Sequence, residues 1–168
     1  MSKKVTILNS EQIKQKTTRI AYQILEDSID EPELVFAGIA DRGYVFATRI
    51  IKELSKISSQ NISLIKITVD KDSTSLKSET DKETSIAKNK VVILVDDVLN
   101  SGRTLAYGLG VFLDVPLKKM RVAVLIDRSH HNYPVYSDFS GLKLSTILNE
   151  HITVVLSDDH KKDAAYLL

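Results

Sequence analysis

Hydrophobic and polar positions follow two rhythms along this chain. Solid aliphatic runs at residues 34–39 (LVFAGI), 90–95 (KVVILV) and 121–126 (RVAVLI) predict strands buried on both faces. A fourth run, ITVVL at 152–156, reads the same way. Residues 62–69 (ISLIKITV) alternate apolar and polar, the mark of a strand with one exposed face. Helical periods lie between these strands. Ser10 stands where it would cap a helix over about 11–26, with Ile13, Ile20 and Ile24 on one face. Residues 44–54 predict a second helix after the turn Asp41-Arg42-Gly43. Residues 102–113 predict a third, with Pro116 just past its end. Strands alternating with helices predict an α/β fold, a parallel twisted sheet flanked by helices.

Two stretches break the pattern. Residues 70–88 (DKDSTSLKSETDKETSIAK) are almost wholly polar and lack a core-forming face. A loop of that length in a compact domain is usually functional or disordered, and a mobile loop is expected. Residues 127–150 are irregular and carry aromatics, and a small hood or flap over the strand ends is expected there. With no repeat and no low-complexity segment, residues 1–168 are expected to form a single domain.

Composition narrows the function classes. The charge is 23 − 22 = +1, which gives no global drive toward nucleic acid. No apolar run is long enough to span a bilayer, and no membrane partner is expected. The start, MSKKVTILNS, lacks the apolar core and cleavage site of a secretory signal. Zero cysteines exclude a disulfide framework and a thiolate metal site, which is compatible with the cytoplasm, the expected location. The four histidines, His130, His131, His151 and His160, form no metal or triad pattern.

The chemistry concentrates in residues 91–104, VVILVDDVLNSGRT. Ligands of open parallel sheets bind beyond the carboxyl ends of the strands, where Asp96 and Asp97 stand. Ionised carboxylates accept strongly from sugar hydroxyls and can help hold Mg²⁺ directly or through water. An acid pair alone is no more than an ordinary polar strand end. The loop Asn100-Ser101-Gly102-Arg103-Thr104 adds a helix start, whose open N–H groups and positive dipole suit a phosphate. Gly102 allows close backbone approach, and Ser101 and Thr104 add hydroxyls. No nucleotide P-loop is present.

This stretch resembles the phosphoribosyl pyrophosphate (PRPP) binding motif of type I phosphoribosyltransferases. Arg19-Ile20-Ala21, Gly38-Ile39-Ala40-Asp41-Arg42-Gly43, residues 123–128 (AVLIDR) and Asp138-Phe139-Ser140-Gly141 extend the likeness over nearly the whole chain. They resemble the pyrimidine operon attenuator/uracil phosphoribosyltransferase group, PyrR. The resemblance implies Mg²⁺-dependent transfer of a phosphoribosyl group from PRPP to a nucleobase. Uracil is the expected base, giving uridine monophosphate (UMP) and pyrophosphate. Asp96 and Asp97 would hold the ribose hydroxyls and help hold the Mg²⁺. Asn100, Ser101, Gly102, Arg103 and Thr104 would cradle the 5′-phosphate. Ala40, Asp41, Arg42 and Gly43 would take the pyrophosphate on a strained, often cis, peptide turn, with Arg42 adding charge. Asp96, Asp97 and Arg42 are thus the expected catalytic residues. Asp127, Arg128, Phe139 and Ser140 would receive the base, although Phe139 is as readily a core residue. A homodimer or larger homo-oligomer is also implied.

The alternative is a regulator that binds PRPP or a nucleotide as a signal and RNA as its target. Here the chain departs from its group. Arg19 and Thr18 match the first-helix part of the RNA-binding face. In residues 129–142 (SHHNYPVYSDFSGL), however, His131 and Tyr136 replace two arginines and Leu142 a lysine. Losing cations removes phosphate-driven affinity. Asn100 stands where relatives acting on 6-oxopurines carry an acid, and an amide cannot act as a base. The polar loop holds Lys71, Lys77, Lys82 and Lys88 but no arginine.

Overall fold

A computed structural model describes residues 4–70, 77–147 and 149–168. In chain order the elements are β1 (Val5–Leu8), α1 (Ser10–Asp27), β2 (Glu33–Ile39), α2 (Arg42–Leu54), β3 (Asn61–Val69) and β4 (Ser78–Thr80). A 3₁₀ turn (Thr84–Ala87) then leads to β5 (Val91–Leu99), α3 (Arg103–Gly110), β6 (Lys119–Asp127), β7 (Phe139–Lys143), β8 (Ile152–Val155) and β9 (Ala164–Leu167).

The main sheet has the order β4-β3-β2-β5-β6-β7. Its strands from β3 through β7 run parallel, and β4 is antiparallel to β3. Alternate residues feed opposite faces. Leu34 and Phe36 join Val91, Ile93 and Val95 in a core with the inner sides of α1 and α2. Val35, Ala37 and Ile39 join Val92 and Leu94 in a second core beneath α3. Burial on both faces explains the unbroken aliphatic runs at 34–39 and 90–95.

The chain leaves β2 toward β3 on one side and later returns to β5 on the other. The strand order therefore reverses between β2 and β5, and a crevice opens beyond their carboxyl ends. The loop after β2 and the end of β5 face each other across it.

Several expectations require correction. The run at 152–156 is not a strand of the parallel sheet. As β8 it pairs antiparallel with β9, which pairs with β1, in a separate three-stranded sheet. Only Val154 of β8 is buried, so one face suffices. The region expected as an irregular flap, 127–150, contains β7, which extends the main sheet beside β6. The cap of α1 is Asn9 rather than Ser10. The Asn9 side chain accepts from the Gln12 N–H, and the Gln12 side chain accepts from the Asn9 N–H, each at 2.9 Å. Within 70–88, β4 and the 3₁₀ turn are anchored, and Ala87 is fully buried. Residues 71–76, Lys71 included, lie outside the described residues. Among the described residues, no helix is long and apolar enough to cross a membrane.

Candidate functional site

Asp96 and Asp97 sit near the end of β5, on the crevice. The Asp97 N–H donates to Asp96 Oδ1 at 2.8 Å, which fixes the first carboxylate against its own backbone. Gly43, in the first turn of α2, lies directly on this bend. A Cβ there would stand 2.8 Å from the Asp96 Cα and from the Val95 oxygen. Only glycine lets the helix start approach the acid pair so closely.

The Ala40–Asp41 peptide in the facing loop is cis, and the Ala40 N–H is held by the Ile67 carbonyl at 2.7 Å. Arg42 turns back toward the acids. Its Nε lies 3.5 Å from Asp97 Oδ2, and its Nη1 donates to the Val154 carbonyl of β8 at 3.0 Å. Lys66 on β3 lies 3.7 Å from the exposed Asp41 carboxylate.

Past β5 the chain turns at Gly102, whose φ of 84° falls in the left-handed region that glycine adopts at no steric cost. α3 begins at the next residue. Its first-turn N–H groups lack helical partners, and that of Arg103 donates to Ser101 Oγ at 3.3 Å. The Ser101 carbonyl accepts from the N–H groups of Asn132 and Tyr133 at 2.8 and 3.0 Å. The 130–135 segment therefore braces the loop from behind.

These groups line one cleft of about 680 Å³. Ala40, Asp41 and Arg42 form one wall, and Asp96, Asp97 and residues 100–104 form the floor and the other wall. Gly43 packs beneath. Thr68, Val69, Asp70 and Ile152 also line it. Asp70 opens the loop expected to be mobile; the sequence reading missed Thr68, Val69 and Ile152 because none carries a motif, and Ile152 arrives only through the separate small sheet.

The four residues expected at the base do not line this cleft. Phe139 is buried in the core between the main sheet and α1. The backbone carbonyls of Ser140 and Gly141 accept from Arg19 Nη2 at 2.7 and 2.8 Å. Arg128 turns away to Thr146 and the Ile147 carbonyl. Asp127 is 3% exposed and committed inward, accepting from Ser137 Oγ (2.6 Å), the Ser129 N–H (2.9 Å) and His131 Nε2 (3.0 Å). Burial alone would raise its pKa. The bonds from Ser137, Ser129 and His131 outweigh that and hold it below the usual carboxylate value.

The same contacts bear on the residues that the resemblance associates with an RNA-binding face. Arg19 is engaged by β7. His131 sits on Asp127, and Tyr136 packs edge-on against its ring at a centroid distance of 5.2 Å. Among the described residues, no group of three or more His, Asp or Glu side chains is placed to hold a metal ion. Two adjacent carboxylates suit Mg²⁺ only where a ligand supplies further oxygens, as this ion commonly requires.

Residues 5–161 match the Phosphoribosyl transferase domain. A Listeria welshimeri protein named Bifunctional protein PyrR is 32% identical over 99% of this chain and 98% of its own length. Its namesake from Macrococcus caseolyticus is 35% identical over 99% of both chains. Among solved structures, a hypoxanthine-guanine phosphoribosyltransferase from Bacillus anthracis superposes with a TM-score of 0.76. At 21% identity over 97% of each chain, it is a likeness of fold alone. Matched almost end to end by that domain and by proteins of that name, the chain belongs to the phosphoribosyltransferase family, in its type I branch beside the PyrR proteins.

Proposed function

We propose that this protein transfers the phosphoribosyl group of PRPP to uracil, giving UMP and pyrophosphate. The observation that carries the reading is the convergence of three elements on one cleft. They are the Asp96–Asp97 pair, the helix-start loop 100–104 and the turn 40–43 with its arginine. Their chemistry matches the three parts of PRPP: vicinal hydroxyls, a terminal phosphate and a pyrophosphate.

In this reading Asp96 and Asp97 accept from the ribose hydroxyls. The first turn of α3 and the hydroxyls of Ser101 and Thr104 take the 5′-phosphate. Arg42 and the N–H groups of the cis turn take the pyrophosphate. The C1′–oxygen bond to pyrophosphate breaks, a bond from C1′ to uracil N1 forms, and the N1 proton leaves. Developing positive charge on the sugar and negative charge on the leaving group need orientation, charge stabilisation and exclusion of water. Asp96 and Asp97 would help hold an Mg²⁺ bound with PRPP, which would supply Lewis-acid stabilisation of the leaving group.

Uracil rests on the likeness to the PyrR group and on Asn100, which lines the cleft where a purine-directed relative carries an acid. A homo-oligomer is part of the same reading, and sedimentation measures it. The test of the reaction is pyrophosphate release from PRPP and Mg²⁺ with uracil, hypoxanthine, guanine, adenine and orotate in parallel. Turnover with uracil alone is expected. Turnover with another base overturns the base assignment. No turnover with any base, in protein that binds PRPP, favours the sensing regulator.

A further inference from the structure

Arg42 has a second partner that a pyrophosphate role does not require. β8 is an edge strand of the small sheet, with β9 on one side only. His151 and Leu168 exchange backbone hydrogen bonds at 3.0 and 2.9 Å. In the antiparallel alternation, Ile152 and Val154 then turn their main-chain groups to the open edge. Val154 is buried as a whole residue, main chain included, so its outward carbonyl needs a donor from outside the sheet. Arg42 is that donor, and the same guanidinium reaches Asp97. Ile152, two residues earlier on the same face of the strand, lines the cleft.

The fork of a guanidinium explains why one side chain can serve both directions, which an ammonium does less well. A second arginine stands two turns on, along the same side of α2. Arg49 donates to the Ser157 carbonyl at 2.6 Å and pairs with the buried Asp163. Helix α2 therefore grips the segment after β8 at a buried point through Arg49. It grips β8 itself at a half-exposed point through Arg42, whose side chain is 55% exposed.

We infer that Arg42 is a positioning residue that ties β8 to the ribose-facing acid Asp97, so that the Ile152 wall of the cleft and the ribose site are set as one unit. This deepens the transfer reading and rests on it.

UMP separates this role from pyrophosphate binding, because it carries base, ribose and 5′-phosphate but no pyrophosphate. The experiment measures UMP affinity by calorimetry for the intact protein, Arg42→Lys and Arg42→Gln, with hydrogen exchange of the 152–155 amides in the same samples. Both variants are expected to weaken UMP about ten- to a hundredfold, the range of a hydrogen bond from a charged donor. Exchange in 152–155 should quicken in the free variants, and the KM for uracil should rise with that for PRPP. UMP affinity and exchange unchanged while PRPP binding falls would overturn the inference and leave Arg42 to pyrophosphate alone. If the intact protein binds no UMP, the transfer reading fails. The exchange measurement then still decides the strut, with unchanged 152–155 amides overturning it and faster exchange upholding it.

Discussion

Gly43→Ala tests how the acid pair is held. The added Cβ would stand 2.8 Å from the Asp96 Cα and the Val95 oxygen, and 2.9 Å from Asp96 Oδ1. Ordinary contact is about 3.5 Å, so the helix start and strand end must part by roughly 0.7 Å. Two of the three neighbours are backbone, and no rotamer relieves them. Against this stands the helical gain of alanine over glycine, about 0.5–1 kcal/mol. Overpacking costs about 1–3 kcal/mol. The net expectation is a loss of up to about 2.5 kcal/mol, a fall in Tm of up to about 10 °C for a chain of this size. The displacement falls on the carboxylate assigned to the ribose. PRPP affinity should therefore drop at least about tenfold, since a misplacement near 1 Å can cost about a hundredfold. Thermal unfolding and calorimetric titration with PRPP and Mg²⁺ measure both. The sign is decisive: helix propensity alone raises Tm, whereas the close contact lowers it. A raised Tm with PRPP affinity intact would refute the reasoning.

Asp96→Asn with Asp97→Asn should abolish PRPP binding while leaving the unfolding transition cooperative; retained binding would remove the ribose assignment. Asp127 has a folded pKa below its ordinary value of 3.8. Its contribution to stability is therefore fully present above that value and is lost as pH falls through the depressed folded pKa. Urea unfolding should show a gap between the protein and Asp127→Asn at pH 7 that narrows below about pH 3.8. A gap independent of pH would mean the carboxylate charge plays no part. His131→Arg with Tyr136→Arg should raise affinity for a structured RNA and steepen its salt dependence, by about 0.7–0.9 in log–log slope per phosphate neutralised. Tight binding of a pyrimidine-operon leader by the unaltered protein at physiological salt would defeat that reasoning.

The parallel core was legible because burial on both faces leaves a direct mark: LVFAGI and VVILV have nowhere polar to point. That the acid pair and the loop 100–104 share one cleft was legible because they follow such a run without a gap. The small sheet was not, because β1, β8 and β9 are four residues each and β1 meets β9 from the opposite end of the sequence. A four-residue pattern carries no period, and nothing local states that Val5 meets Leu167. β7 escaped for a similar reason. FSGLK is short and interrupted by glycine, yet it gains its place by pairing with β6. Asn9 was overlooked as a cap because Ser10 is also a good one, and only the reciprocal bond with Gln12 separates them.

The residues expected at the base lie outside the lining of this cleft, and the reason is local to 127–142. Asp127 shows why they turn the other way. A carboxylate at the end of β6 must be satisfied once buried, and Ser129, His131 and Ser137 supply three donors within eleven residues of chain. That closure brings Asn132 and Tyr133 against the Ser101 carbonyl, so the segment becomes the support of the loop 100–104. His131 is then needed inward, where its side chain is 14% exposed. The exposed ring of Tyr136 rests on it without charge. A segment arranged in this way supports the 100–104 side of the cleft while presenting fewer cations outward. His131 and Tyr136, which weaken the case for RNA, belong to the same segment that braces the loop 100–104. An altered His131 should therefore disturb PRPP binding through Ser101 even where RNA binding is absent.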